Sequence, residues 1–173
     1  SRGRNLHKAA QFICEHFHGE IPSDYKTLQT IPGIGPYSAA AIASIAFETP
    51  VPVVDGNVLR VFTRFWGIKD DIRQPKVTKI LFNKLSPCII QAKPSDFNQA
   101  MMELGALLCT PTSPDCDHCP ISANCYAFKH QAQSALPVKS KAKKTPTLHV
   151  VVGLIMKDQH FLIAKRPANK MLG

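Results

Sequence analysis

Four of the six cysteines in the chain stand close together and are the side chains best suited to bind a metal centre. Their spacing is Cys109-x6-Cys116-x2-Cys119-x5-Cys125. Four thiolates at these intervals can surround one centre, but zinc knuckles usually use two Cys-x-x-Cys pairs and this segment has one. The uneven spacing therefore favours an iron–sulfur cluster, with zinc as the alternative. Cys14 and Cys88 stand apart, and we expect them to be buried as small apolar side chains.

A second candidate site is the uncharged turn "IPGIGPY" at residues 31–37, which lies between two predicted helices. Glycine allows a backbone to approach a phosphate closely, and the N–H groups at the start of the next helix point toward such a ligand. The turn thus predicts a helix–hairpin–helix that contacts a nucleic-acid backbone through Gly33, Ile34 and Gly35 without reading sequence. An ordinary helix turn is the alternative.

The charge of the chain also favours a nucleic-acid partner, with an anionic membrane surface second. There are 21 Lys and Arg residues against 12 Asp and Glu residues, a formal net charge of +9. Such an excess attracts polyanions. The candidate phosphate ligands are Arg2, Arg4, Arg60, Arg64 and the lysines within 139–144. No apolar run is long enough for a membrane span, and clustered cysteines in a basic chain indicate a reduced, intracellular protein.

These candidate residues must be positioned by helices, because apolar residues recur at helical spacing through most of residues 1–136. The expected boundaries are Gly19 as a stop, Ser23, Asp55 and Ser95 as N-caps, a helix at about 75–85, and a helix that runs from the Ser95 cap into Cys109. The first 136 residues therefore predict an all-α domain.

The sequence pattern changes beyond Leu136. Residues 137–146 are rich in Lys and Pro and predict a linker. Two apolar runs then flank the "KDQ" turn at 157–159 and predict a strand pair that opens a second domain at 147–173. Because the sequence has no initiator Met and stops inside this pattern, we expect a fragment cut at both ends.

Three segments together resemble the helix–hairpin–helix DNA glycosylase superfamily of endonuclease III. They are "LQTIPGIGPYSAAAIASIAF", "VVDGNVLRVFTR" and "FNQAMMELGALLC", followed by the cysteine spacing. The resemblance is to the adenine-specific members and covers nearly all of residues 1–136. It continues weakly through "HVVVGLIMKDQHFLIAKRP", which is similar to the start of a Nudix-like domain. It implies an all-α helix–hairpin–helix glycosylase domain with an iron–sulfur cluster loop, followed by the start of a Nudix-like α/β domain.

The resemblance implies base-excision repair: removal of adenine opposite 8-oxoguanine or guanine in double-stranded DNA, by base flipping and hydrolysis. Bifunctional members carry a lysine where this hairpin ends at Tyr37, and that amine forms a Schiff base that leads to strand cleavage. A phenol cannot form one, so the resemblance implies a monofunctional enzyme with Tyr37 beside the flipped base. The alternative is a tyrosine that only packs at the helix start.

The resemblance also assigns the remaining site residues. Asp55 matches the catalytic aspartate, which stabilises positive charge on the sugar or traps it covalently, although it also fits a plain N-cap. Asn57 matches a residue close to that aspartate. Gln99 and Met102 lie on the helix that borders the adenine pocket, and Met102 also fits a core position.

The proton donor of the family is a glutamate upstream of the hairpin. Glu15 and Glu20 do not match its motif, so we expect this chain alone to release no adenine. The loop 110–115 lacks the basic residues that related proteins often use for phosphate contact.

The resemblance further implies a [4Fe-4S] cluster on the four clustered cysteines and a monomer in the bacterial cytoplasm, at the nucleoid. Two alternatives are another mismatch glycosylase of the superfamily, acting on thymine or uracil, and a non-catalytic DNA-binding module.

Overall fold

The computed structural model describes residues 2–141, 147, 151 and 153–164. The chain divides into two units, Ser1–Ser140 and Lys141–Gly173. The helices of the first unit are α1 (Arg2–Phe17), α2 (Tyr25–Leu28), α3 (Pro36–Phe47), α4 (Gly56–Trp66), α5 (Pro75–Ile89), α6 (Pro94–Glu103) and α7 (Tyr126–Lys129). A π-helical segment, Leu104–Leu108, extends α6, and a 3-10 turn, Ser122–Asn124, precedes α7. The helical prediction for this part of the chain agrees with these elements.

Two hydrophobic clusters hold the first unit together. The hairpin cluster joins α1, α2 and α3 and is formed by Ala9, Leu28, Ile31, Ala39 and Ala43. The larger cluster joins α4, α5 and the π-helical segment and is formed by Val58, Val61, Phe62, Val77, Leu81, Leu85 and Leu104. Helices α3 and α6 pack together and connect the two halves of the unit.

Two helix starts differ from the prediction by one or two residues. Asp24, not Ser23, caps α2, because its carboxylate accepts hydrogen bonds from both Thr27 N at 2.7 Å and Thr27 Oγ1 at 2.8 Å. Helix α6 begins at Pro94 after an N-cap at Lys93 rather than Ser95. Proline is favoured at a first helical position because its fixed φ suits the helix and its missing N–H costs nothing there.

Cys14 and Cys88 are exposed, so the expectation that both are buried is wrong. Within α1 only Ala9 is fully buried, and Cys14 lies on the exposed part of that helix. Helical periodicity identified the helix but did not show how little of its surface is covered by its neighbours.

The first unit extends beyond the predicted boundary at residue 136, through Ser140. Ile72 N donates to Val138 O at 3.0 Å, and Ser140 N donates to Asp71 Oδ2 at 3.2 Å. Arg73 Nη1 lies 3.4 Å from Ser140 Oγ. We call residues 71–73 and 138–140 the clasp. The first residues of the predicted linker are therefore attached to the helical unit.

The described part of the second unit contains a short antiparallel hairpin. Strand β1 (Met156–Lys157) pairs with β2 (His160–Phe161), with Met156 opposite Phe161. Asp158 in the turn has φ of 53°, and Leu162 N donates to Ile155 O at 3.0 Å. The strand pair lies where the "KDQ" turn predicted it. Most other residues of the predicted Nudix-like domain lie outside the described residues.

Candidate functional site

The hairpin presents exposed backbone at the start of α3. Gly33 has φ of +84°, a conformation that favours glycine, and a Cβ there would lie 2.8 Å from the Asn5 Cβ of α1. Gly35 is the N-cap of α3, and a Cβ there would meet nothing within 4 Å. Ile34 packs against the hairpin cluster and fixes the turn. The structure therefore leaves open space at Gly35, beside the first N–H groups of a twelve-residue helix.

Tyr37 is the second residue of α3 and is 50% exposed. Its side chain lines an open cavity of about 530 Å³, together with the aromatic residues Tyr25 and Phe82 and the basic residues Arg73 and Lys79. An aromatic and basic lining suits a planar, electron-rich group attached to an anionic backbone.

Asp55 caps α4, as the cap interpretation predicted. The Oδ1 atom of Asp55 accepts a hydrogen bond from Val58 N at 2.7 Å, and the Asp55 residue is half-buried. The preceding residue, Val54, lines the Tyr37 cavity, whereas Asp55 itself does not. The carboxylate is thus fixed at a helix N-terminus one residue beyond the cavity wall.

Asn57 is connected to the cysteine segment through Arg60. Arg60 Nη2 donates to Asn57 Oδ1 at 2.9 Å and to Gly105 O at 2.7 Å, and Arg60 Nε donates to Cys109 O at 2.7 Å. Burial lowers the pKa of the Arg60 guanidinium, while the charges of Cys109 and Asp55 act in the opposite direction. Arg60 Nε and Nη2 are therefore occupied by contacts within the protein, and the assignment of Arg60 as a phosphate ligand stays a prediction.

Gly105 allows this close contact between α4 and the π-helical segment. A Cβ at Gly105 would lie 2.6 Å from Asn57 Cβ, a distance that real Cβ atoms do not adopt. The π-helical turn also brings Cys109 N to Leu104 O at 2.7 Å, immediately before the loop begins. Single π-helical turns within α-helices are frequent at functional sites.

Gln99 and Met102 do not line the Tyr37 cavity in the described part of the chain. Gln99 Nε2 donates to Ser95 Oγ at 2.9 Å, along the surface of α6. Met102 packs against the larger cluster, as its core interpretation predicted.

Asn98 is a positioning residue that the sequence analysis missed. It is 1% exposed, and it accepts a hydrogen bond from Val53 N at 2.9 Å while donating to Ser44 Oγ at 2.8 Å and Val51 O at 2.9 Å. These bonds attach the connection before Asp55 to α3 and α6. A polar residue at a helix position that faces the core was the available signal.

The four clustered cysteines line one small cavity of about 20 Å³. Apolar side chains form much of its wall, among them Val61, Phe65 and Leu104. Burial raises the pKa of the Cys119 thiol, and the other three cysteines act in the same direction. Among the described residues, no three His, Cys, Asp or Glu side chains converge closely enough to enclose one metal ion. The donors are four thiols around a shared apolar space.

Arg64 lies against this cavity and is only 3% exposed. Its guanidinium contacts four backbone carbonyl groups and the Cys109 thiol, with no contact to solvent that would allow phosphate binding. The assignment of Arg64 as a phosphate ligand is therefore wrong, whereas Arg2 and Arg4 are exposed on the first turn of α1.

The cysteine loop also contains an exposed acid–base pair. His118 Nδ1 lies 2.9 Å from both carboxylate oxygens of Asp115, which raises the pKa of His118. In the loop 110–115, Asp115 is therefore occupied by an intraprotein contact.

Comparison with known proteins connects these features. Residues 16–45 match the model of the helix-hairpin-helix motif family. The chain is 29% identical to the protein in a non-covalent endonuclease III–DNA complex, with a TM-score of 0.62, covering 75% of this chain and 59% of that one. It is 28% identical to a thermostable thymine-DNA glycosylase, with a TM-score of 0.65, covering 75% of this chain and 59% of that one. The fold and hairpin thus place the chain in the helix–hairpin–helix DNA glycosylase superfamily.

Sequence similarity places the chain more narrowly within that superfamily. It is 46% identical over 141 residues to an adenine DNA glycosylase of Mus musculus, covering 79% of this chain and 27% of the relative. It is 35% identical over 174 residues to an adenine DNA glycosylase of Schizosaccharomyces pombe, covering 98% of this chain and 38% of the relative. The chain belongs to the adenine DNA glycosylase family. It spans well under half the length of these two relatives.

Proposed function

We propose that this chain is part of a base-excision repair enzyme that hydrolyses the N-glycosidic bond of adenine opposite 8-oxoguanine or guanine. The observation that carries the proposal is the Asp55 carboxylate, held at the start of α4 next to the Tyr37 cavity. The names of the similar proteins support adenine as the base.

Asp55 supplies the charge that the reaction needs. Breaking an N-glycosidic bond builds positive charge on the sugar, and a carboxylate fixed nearby stabilises that charge or traps it. The hydrogen bond to Val58 N fixes Oδ1, so the carboxylate does not have to reorganise during the reaction. Asn57 and Arg60 support the same end of α4 through their mutual hydrogen bond.

Tyr37 supports a monofunctional mechanism. Strand cleavage through a Schiff base needs an amine at the sugar C1′, and the hairpin ends in a phenol. We propose that the phenol lines the space beside the flipped base, with Gln99 and Met102 on the adjacent helix as more distant members of the pocket.

We propose a [4Fe-4S] cluster at Cys109, Cys116, Cys119 and Cys125. The four thiols line one apolar cavity, and their uneven spacing with a single Cys-x-x-Cys pair is more typical of an iron–sulfur cluster than of zinc. When bound, such a cluster would cross-link the loop between α6 and α7.

The DNA interface that we propose consists of the hairpin backbone at Gly33–Gly35, with Arg2 and Arg4 of α1 as phosphate ligands. Among the described residues no helix has the length and apolar character to span a bilayer. A monomer that acts at the bacterial nucleoid is the assembly and location that we propose.

The test is base release by the full-length protein from duplexes that contain A:8-oxoguanine, A:G, T:G or U:G pairs. We expect release from the first two only. Asp55→Asn should lower the single-turnover rate by on the order of a hundredfold while DNA binding persists, because Asn keeps the helix cap and removes the charge. Release from T:G or U:G instead would identify another mismatch glycosylase, and release from no pair would favour the non-catalytic module.

This chain by itself should bind the same duplexes and release no base, because Glu15 and Glu20 do not supply the proton donor. Base release by this chain alone would contradict that assignment.

A further inference from the structure

Arg64 is a buried cation whose five N–H groups all have acceptors. Nε donates to Leu136 O at 2.8 Å, and Nη1 donates to Thr110 O at 2.7 Å and Cys109 Sγ at 3.4 Å. Nη2 donates to Pro111 O at 2.9 Å and Gln133 O at 2.9 Å. A guanidinium has five N–H donors in a fixed fork, so this site uses its full capacity.

The five acceptors belong to two separate stretches of chain. Residues 109–111 open the cysteine loop, and residues 133–136 lie beyond α7, after the last cysteine. The guanidinium therefore joins both ends of the segment that carries the four cysteines. Gln133 also places its side-chain Nε2 3.7 Å from Cys116 Sγ, so the second stretch contacts the cavity as well.

The charge of Arg64 has no carboxylate partner in any of these contacts. A buried ion without a counter-ion costs several kcal/mol, and carbonyl dipoles offset only part of that cost. Cys109 Sγ is the one acceptor of the five that can carry a full negative charge. An anionic centre in the cysteine cavity would neutralise the remaining positive charge of Arg64.

We propose that Arg64 is the positioning residue of the cysteine loop: it fixes both ends of the loop and supplies the positive charge that retains an anionic thiolate-bound cluster. The claim that the charge of Arg64 retains a cluster rests on the cluster in the proposed function. The part concerning loop geometry does not, and the two parts can be tested separately.

The first experiment compares iron and sulfide content, and the rate of iron loss to a strong iron chelator, in three variants of this chain. Arg64→Lys keeps the charge but has one nitrogen, and Arg64→Met keeps much of the bulk without charge. We expect iron loss to accelerate about tenfold or more in Arg64→Lys and further in Arg64→Met. The matched control, Arg4→Gln, alters an exposed arginine on α1 and should retain iron as the unaltered chain does.

The second experiment measures amide hydrogen exchange in the iron-free chain. The Leu136 amide, bonded to Ala132 O at 3.0 Å, and the Thr110 amide, bonded to Leu108 O at 2.9 Å, report on the two stretches. Both should exchange faster in Arg64→Lys, while amides of the hairpin cluster keep their rates and show that the variant is folded.

These outcomes separate the two proposals. If the unaltered chain binds no iron, the cluster proposal is refuted. Faster exchange of the Leu136 and Thr110 amides in Arg64→Lys would then still support Arg64 as the link between the loop ends. If Arg64→Met retains iron as the unaltered chain does, the charge role is overturned. Unchanged exchange at both amides overturns the positioning role.

Discussion

In the function proposed above, the Tyr37 phenol takes the position at which an amine would make the enzyme a lyase. We therefore expect the full-length protein to leave an uncut abasic site, since a phenol forms no Schiff base. Borohydride should trap no covalent DNA complex with the native enzyme, whereas Tyr37→Lys should yield a detectable trapped fraction. Trapping of the native enzyme at the level of a true lyase would contradict the monofunctional mechanism.

Asn98 is the residue whose loss should affect stability most clearly. Asn98→Ala removes three hydrogen bonds and leaves the Val53 N–H and Val51 carbonyl without a partner in a buried site. We expect the free energy of unfolding to fall by about 2–4 kcal/mol, because each orphaned buried group carries its own desolvation cost. Urea denaturation measures this effect.

The control for Asn98 is Asn83→Ala on the exposed surface of α5. A surface substitution of this kind changes stability by no more than about 0.5 kcal/mol. Equal stability losses in the two variants would mean that the Asn98 hydrogen bonds do not hold the connection before Asp55.

Prediction at the level of residues succeeded where the chemistry of a side chain is local. The Asp55 cap follows from an aspartate before a helix, and the structure contains it. Arg64 failed as a phosphate ligand because its partners inside the protein lie at sequence separations of 45 to 72 residues. A charge count cannot show which arginines turn inward.

The two glycines of the hairpin, Gly33 and Gly35, have distinct roles. Gly33→Ala should lower the free energy of unfolding by about 1 kcal/mol or more, because its φ is positive and its Cβ would approach Asn5. Gly35→Ala should leave stability nearly unchanged, because a Cβ there meets nothing within 4 Å.

The same two variants should rank differently in DNA affinity than in stability. Gly35→Ala should weaken duplex affinity, because the methyl group would lie between the backbone and an approaching phosphate. Fluorescence anisotropy with a labelled duplex, at several salt concentrations, provides the measurement. Wild-type affinity of the Gly35→Ala chain would remove this end of the hairpin from the interface.

Among the elements, helices were predicted better than their ends. Helix α5 extends to Ile89, past the predicted end near 85, and the expected helix into Cys109 changes to a π-helical turn at Leu104. Neither feature has a strong local signal, because burial of Leu85 and Ile89 and the contact of Gly105 with Asn57 depend on distant parts of the chain.

At the scale of the whole molecule, the clasp determines where the helical unit ends. Hydrogen bonds from Ser140 and from Arg73 N hold the pKa of the Asp71 carboxyl below its ordinary value. A lowered pKa means that this contribution to stability is present at neutral pH and is lost as the pH falls through the folded-state pKa. The clasp therefore has its full strength under neutral conditions.

Removal of the clasp should expose the chain after Lys139. We expect Asp71→Ala to raise the rate of tryptic cleavage at that bond about threefold or more near neutral pH, because the Ser140 N–H loses its acceptor. Asp70→Ala, which breaks the neighbouring contact with Lys76 at 2.6 Å, is the control. Equal cleavage in both variants would show that residues 138–140 are not held by Asp71.

The division into a helical unit and a following unit was visible in composition, because the Lys- and Pro-rich stretch interrupts the apolar periodicity. The few residues between Leu136 and Ser140 were misplaced, since the bonds of Val138 and Ser140 to the 71–73 turn join distant segments. The turn of the β1–β2 hairpin was predictable because its signal is local.

The contacts of Arg64 have a consequence for the order of events during synthesis. A ribosome adds residues at roughly 5–20 per second, so several seconds pass between the emergence of Arg64 and that of Leu136, its most distant partner. In that interval the acceptors of the guanidinium emerge in turn, those of residues 109–111 first and Leu136 last, and the thiols emerge one after another without an assembled cavity. Iron delivered earlier would meet single cysteines on a growing chain. For the cluster proposed here, we therefore expect iron to be delivered after the helical unit is complete.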